Sequence, residues 1–157
     1  METFTFACNV NMNVNYSGEK GLVEIPSAVN VPFDLNVDDC PNLRTIAPDL
    51  VVGDRLSMRR CTSLKSFPDN MYIPGRLILS GCSGLELIGE GLKVGDGLYL
   101  DGCTSLTELP KDLHVESGII ELTGCEGIRI PQEVIDRHAN GALINFPDNY
   151  SIIPKQA

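Results

Sequence analysis

Apolar residues recur along this chain in fixed slots. Leu35, Leu56, Leu77, Leu98 and Ile120 hold the first, and Val37, Met58, Leu79, Leu100 and Leu122 the second, two residues on. Three more rows follow: Leu43, Leu64, Leu85, Leu106 and Ile128; Ile46, Phe67, Ile88, Leu109 and Ile130; and Leu50, Met71, Leu92, Leu113 and Val134. A row of cysteines, Cys40, Cys61, Cys82, Cys103 and Cys125, lies between the second and third, at intervals of 21, 21, 21 and 22 residues. A fixed period near 20 residues is the mark of stacked coils, each burying its apolar side against its neighbours.

The unit reads L-x-L-x-x-C-x-x-L-x-x-L-P-x-x-L-x-V-x-G. An earlier copy fills the same slots with Val14, Tyr16, Leu22, Ile25, Pro26, Val29 and Val31, and has Glu19 in the cysteine slot. In each unit L-x-L alternates with period two, which predicts a short strand with its leucines inward. Pro26, Pro48, Pro68, Pro110 and Pro131 fall in the return limb. Proline removes a backbone donor and fixes φ, so that limb is expected to be extended or 3₁₀ rather than α-helical. Gly53, Gly75, Gly95 and Gly118 mark the turn into the next strand. The expected fold is a mostly β, right-handed repeat solenoid with one parallel sheet on its concave face. It has six repeats over 14–130, an N-terminal cap over 1–13 and a C-terminal cap over 131–157. In the first cap Phe4, Phe6, Val10 and Met12 are expected to pair with the first coil. In the second, "PQEVIDRHANG" predicts a helix from Pro131 closed by Asn140-Gly141, "ALINF" a last strand, and "PDNYSIIPKQA" an irregular tail. Two caps make the chain a complete single domain on this reading.

The unit resembles that of the leucine-rich repeat family, L-x-x-L-x-L-x-x-N/C-x-L. It departs in having two residues between Cys and the next Leu, as in "GCSGL" and "GCTSL", and in "LP" or "FP" where longer repeats place a helix. Short LP-containing repeats are most similar to those of bacterial effector proteins and related bacterial or phage proteins. The resemblance implies that the cysteine slot lies at the turn after the strand and helps to satisfy backbone groups. It also implies a non-enzymatic module that binds a partner protein through its concave face, as an effector or phage-encoded inhibitor in a bacterial or host cytosol. Two alternatives stay open. One is the substrate-recognition part of a ubiquitin-ligase-type effector. The other is an acidic polyanion mimic that blocks a nucleic-acid-binding protein.

Charge narrows the partners. The net charge is −9, so a general nucleic-acid surface, which needs an excess of Lys and Arg, is not expected. No apolar run reaches membrane-spanning length, and the start "METFTFACNV" lacks the basic and apolar regions of a signal peptide. The Asn15-Tyr16-Ser17 and Asn149-Tyr150-Ser151 sequons are then read as chance. The ladder cysteines are expected to be reduced core residues, with Cys8 in the N-terminal cap. No Cys/His cluster has zinc spacing, the glycines of "GEGLKVGDG" do not make a phosphate-binding loop, and neither His114 nor His138 has a nucleophile beside it. No cofactor, metal or catalytic residue is expected, and the chain is expected to be monomeric.

Candidate binding residues are those between the inward leucines: Asp34, Asn36, Asp38 and Asp39 in the second coil, Arg55, Arg59 and Arg60 in the third, Arg76 and Ile78 in the fourth, Tyr99 and Asp101 in the fifth, and Glu121 in the sixth. They form stripes: acidic, basic, apolar and aromatic, acidic again. Arg and Tyr are enriched at binding hot spots, and charge stripes set docking register. The competing reading is that Asp34, Asp38 and Asp39 merely neutralise Arg55, Arg59 and Arg60 across adjacent strands. Lys65, Glu86, Lys111, Asp112 and Glu116 are expected on a solvated opposite edge.

Overall fold

The computed structural model describes residues 11–157, so Cys8 and the expected pairing of Phe4, Phe6 and Val10 lie outside the described residues. The chain winds as a parallel β solenoid of about seven coils. The first ladder runs through Val14–Asn15, Leu35–Asn36, Leu56–Ser57, Leu77–Ile78, Lys93–Tyr99, His114–Glu121 and Leu143–Asn145. Its register sets Val14, Leu35, Leu56, Leu77, Leu98, Ile120 and Ile144 in line. The apolar slots therefore stack one above another, as the 21-residue period requires.

The return limb takes the extended one of the two expected paths. After the strand, Cys-x-x-Leu closes a turn in which the Leu N–H donates to the Cys carbonyl, as at Leu64–Cys61 (3.1 Å) and Leu85–Cys82 (2.9 Å). This turn explains the two residues between Cys and Leu. The limb then makes two short edges that pair in parallel with those of the next coil. A second ladder contains Glu24–Ile25 with Thr45–Ile46 and Ser66–Phe67 with Leu87–Ile88. A third contains Asn30–Val31 with Val51–Val52, then Tyr72–Ile73 with Lys93 and Val94. Each coil is thus three-sided. The fourth sends Leu77, Leu79, Cys82, Leu85, Ile88, Leu92 and Val94 into one continuous core. A side chain of this size contributes about 1.5–3 kcal/mol when buried.

Proline decides where the outer ladders break. Ala47 N–H donates to Ile25 O (2.9 Å) and Gly89 N–H to Phe67 O (2.8 Å), whereas Pro68 and Pro110 hold the same slot without an N–H. Among the described residues the second ladder is interrupted at those two steps. In the third, Gly53 N–H donates to Val31 O (2.8 Å), and the ladder breaks where Pro74 takes that slot. A glycine follows Pro32, Pro68 and Pro74 one coil on, at Gly53, Gly89 and Gly95. An added Cβ would stand 1.9 Å from Pro32 O at Gly53, 1.8 Å from Pro74 O at Gly95 and 2.4 Å from the Pro68 carbonyl at Gly89. Coils one and three therefore carry proline in both of these slots, at Pro26 and Pro32 and at Pro68 and Pro74, and coils two and four in neither. The first ladder has no such interruption.

The five ladder cysteines are free and fully buried. Each thiol lies against a carbonyl of the preceding coil: Cys40 on Tyr16 O (3.2 Å), Cys61 on Val37 O (3.2 Å), Cys82 on Met58 O (3.0 Å), Cys103 on Leu79 O (3.2 Å) and Cys125 on Leu100 O (3.0 Å). The thiol is both core filler and donor to a buried acceptor. Burial pushes Cys40 and Cys125 up to about 11 and Cys103 up to about 12. Because all five thiols are sealed from solvent, they are expected to resist iodoacetamide at about pH 8 in the native protein and to react in denaturant. Peptide mass mapping distinguishes them from Cys8. Native labelling of Cys82 at the unfolded rate would contradict this packing.

Helix α1 (Gln132–His138) and the strand at Leu143–Asn145 match the expected C-terminal elements. The tail does not stay irregular. Tyr150–Ile153 pairs in parallel with Ile128–Pro131 and continues the second ladder, with Ile152 in register with Ile130 but left exposed at the end of the stack. The C-terminal segment is the first two sides of a seventh coil.

Candidate interaction surface

The exposed face of the first ladder carries three rows. One runs Asn15, Asn36, Ser57, Ile78, Tyr99, Glu121 and Asn145 in direct register. On either side lie the row of Asp34, Arg55 and Arg76 and the row of Asp38, Arg59, Ser80, Asp101 and Thr123. Ten of the sequence-predicted residues thus belong to one face, while Asp39 and Arg60 lie in the turn that follows it, and they are not equally available. Ile78 is only 6 % exposed and Asp38 8 %. Ile78 is corrected from an exposed apolar contact to a covered one. Its row neighbours are Ser57 and Tyr99 at one strand spacing, close enough for side chains on the same face to cover it.

The arginines are all engaged. Arg55 pairs with Asp34 at 2.8 Å, Arg59 with Asp38 at 3.5 Å, and Arg60 with Asp39 through two nitrogens at 2.6 Å. Arg76 reaches forward to Asp96 at 3.0 Å. The acidic and basic stripes therefore neutralise each other across adjacent strands. Asp38 also accepts from the Ser57 hydroxyl (2.6 Å) and the Arg59 N–H (2.7 Å), which explains its burial. The Arg60 fork holds the Asp39 carboxyl below the usual carboxylate range, and Asp39 raises Arg60 in turn. Arg76 is raised by its hydrogen bond to Asp96.

The last two coils differ. Asp101 accepts from Ser80 (2.6 Å), and Glu121 from Thr123 N–H (3.0 Å) and Asn145 (2.8 Å). Among the described residues neither has an ionic partner, so their charge is not balanced within the face. Burial pushes the Glu121 carboxyl up, but hydrogen bonds from Thr123 and Asn145 outweigh it and leave the group below its ordinary value. The Tyr99 ring folds back over Gly97, where an added Cβ would stand 3.1 Å from its edge.

Sequence reasoning placed Ser57, Ser80 and Thr123 on this face but missed Asp96 and Asn145 as members of the network. Asp96 sits 20 residues after Arg76 instead of 21, beside the irregularity between Asp96 and Leu98. Asn145 was detectable as a polar residue in an outward slot beside Glu121. Of the presumed solvated edge, Lys65 and Glu86 form a 2.8 Å pair.

Among the described residues, four non-glycine residues have a left-handed backbone, Ala28, Asp39, Arg60 and Asn70, and of these Asp39 and Arg60 share one slot. The slot before the cysteine is left-handed in every coil with a turn there. Gly18, Gly81, Gly102 and Gly124 hold it with φ of 74° to 81°, but Asp39 and Arg60 adopt φ of 57°. A side chain in that conformation is disfavoured, for Arg more than Asp.

The class defined by this architecture is a β-rich repeat solenoid. Comparison with protein-family models, with curated proteins and with solved structures gives no match. Among the described residues no group of His, Cys, Asp or Glu is arranged to hold a metal ion, and no helix is long and apolar enough to cross a membrane.

Proposed function

We propose that this chain is a leucine-rich-repeat protein that binds a partner protein through the exposed face of its first ladder. On this reading it carries no catalytic activity and works as a monomer in a bacterial or host cytosol, as an effector or inhibitor. The observation that carries the binding reading is the pair Asp39–Arg60. The fold is served by glycine at their slot in four other coils, so two disfavoured side chains there point to a use on the surface. The Asp39–Arg60 pair supplies a rigid, bidentate patch beside the bare backbone of Gly81, Gly102 and Gly124. Because the arginines are already paired, the unbalanced charge of the face is that of Asp101 and Glu121. The partner surface that fits has a basic residue opposite Tyr99. Neutralisation of Asp34, Asp38 and Asp39 argues against mimicry of a polyanion through this face.

The test exploits the backbone. In Asp39→Gly/Arg60→Gly both residues take the side chain the slot favours, so the melting temperature is expected to stay equal or rise. A partner captured from cytosolic extract of the source cell is expected to be retained by the wild type and lost by the variant. Equal capture by both would remove the patch from the binding surface.

A further inference from the structure

The third ladder ends on side chains instead of a further strand. Its last edge is the start of His114–Glu121. One coil below, Leu92 O accepts the His114 N–H at 3.1 Å. At the corresponding place above, Leu113 O accepts from Arg137 Nη1 at 2.8 Å, and the same nitrogen reaches Lys111 O at 3.0 Å. Val115 N–H, which faces the missing coil, donates to His138 Nε2 at 3.0 Å. The other ring nitrogen, Nδ1, lies 2.6 Å from Val134 O, which has no proton to give. Nδ1 therefore carries the proton and Nε2 must be bare. Two consecutive residues at the end of α1 thus supply one donor and one acceptor in place of a strand.

We propose that His138 makes α1 a pH-releasable cap on the third ladder: a proton taken up at Nε2 sets N–H against Val115 N–H, breaks that bond and frees the edge at Leu113–Val115. The freed edge presents unpaired backbone groups, which an incoming extended strand can complete.

The surroundings favour release once the proton is bound. His114 on the neighbouring strand stands with its ring centroid 6.1 Å away, and Arg137 follows from the same helix. Both oppose a second positive charge. The carboxylates of α1 are Glu133 and Asp136, and Asp136 is taken by Lys155 at 2.6 Å and by Gln132. Glu116 lies on the neighbouring strand. Arg129, on the strand before α1, is paired with Glu108, and Leu143–Asn145 has no titratable group. Burial is the main cause that moves His138 below its ordinary 6.5, and His114 and Arg137 add to it. The sign follows. The opened state binds the proton more readily than the closed one, so the cap is fully held above about 6.5 and loosens as pH falls from there through the lowered folded value.

The experiment is amide hydrogen exchange by NMR on the full chain between pH 7.5 and 5, corrected for intrinsic exchange. Protection of Val115 is expected to fall by up to about tenfold per pH unit within that window, the limit for one proton taken up on opening. Leu79, at the centre of the first ladder, is expected to keep its protection. In His138→Gln, whose amide oxygen accepts but does not titrate, the fall is expected to disappear, while His114→Gln retains it. PH-independent protection of Val115 in the wild type, or an unchanged fall in His138→Gln, would overturn the proposal. Should His138→Gln not fold, the His138 ring resonances of the wild type decide. A midpoint below 6.5 shared with the Val115 amide shift supports the cap, and an ordinary midpoint unconnected to Val115 overturns it.

Discussion

Adding one methyl group at Gly95 is expected to destabilise the solenoid by about 3 kcal/mol, the upper part of the usual range for overpacking. The new Cβ would stand 1.8 Å from Pro74 O and 2.8 Å from its carbonyl carbon. Both are backbone atoms, so no flexible side chain can yield. The coils are also clamped on either side of the contact, by Lys93 N–H to Met71 O (2.9 Å) and Asp96 N–H to Gly75 O (3.0 Å). Relief requires those coils to separate at the corner. Gly127→Ala is the control: its φ is +77° and nothing lies within 4 Å of the added Cβ, so only the torsional cost of about 1–2 kcal/mol applies. Urea denaturation midpoints compare the two. A Gly95→Ala chain no less stable than Gly127→Ala would mean that the corner opens freely and that the close approach is not a constraint.

Truncation of Leu79 to alanine is expected to cost about 2–5 kcal/mol. Leu79 is fully buried in the central coil, between Met58 below and Leu100 above in the same slot. Its N–H donates to Tyr99 O (2.8 Å), and its carbonyl receives the Cys103 thiol (3.2 Å). The backbone cannot move to fill the cavity without disturbing both. Coils interact chiefly with their neighbours, so a side chain flanked on two sides contributes more than one at an end. Ile144→Ala, in the last coil, is expected to cost clearly less by the same denaturation measurement. The reverse order would show that the core is not one continuous stack.

The rows that built this core were legible because inward slots face the same chemical environment in every coil. Leu35, Leu56, Leu77 and Leu98 must each meet an apolar neighbour above and below, so the requirement repeats and shows as a period. The helix at Gln132–His138 was legible for a different reason: Pro131 before it and Asn140-Gly141 after it punctuate the chain. Surface positions are under no repeated requirement, and there the sequence said less. Alternation placed Ile78 outward, correctly, but could not show that its row neighbours leave it covered. Adjacency of Asp39 and Arg60 followed from the 21-residue spacing, whereas their left-handed backbone, shared with Ala28 and Asn70, did not. The strand at Tyr150–Ile153 was missed because α1 replaces one side of the sixth coil. That insertion puts Ile144 24 residues after Ile120, off the 21-residue period, so the coil that contains Ile152 loses the frame that marked the earlier ones. The roles of Arg137 and His138 were hidden likewise, since they answer to an end of the ladder that occurs once.

The alternation of proline and glycine at the corners limits how such a chain can change its length. Removing one coil would set the Pro74 ring over the Pro32 carbonyl, where Gly53 now sits and where an added Cβ would stand 1.9 Å from the oxygen. Removing two coils of 21 residues each, 42 in all, sets glycine over proline again. Duplication and deletion within this region are therefore tolerated in pairs of coils, which makes the pair the heritable module of the molecule and the single repeat only its half.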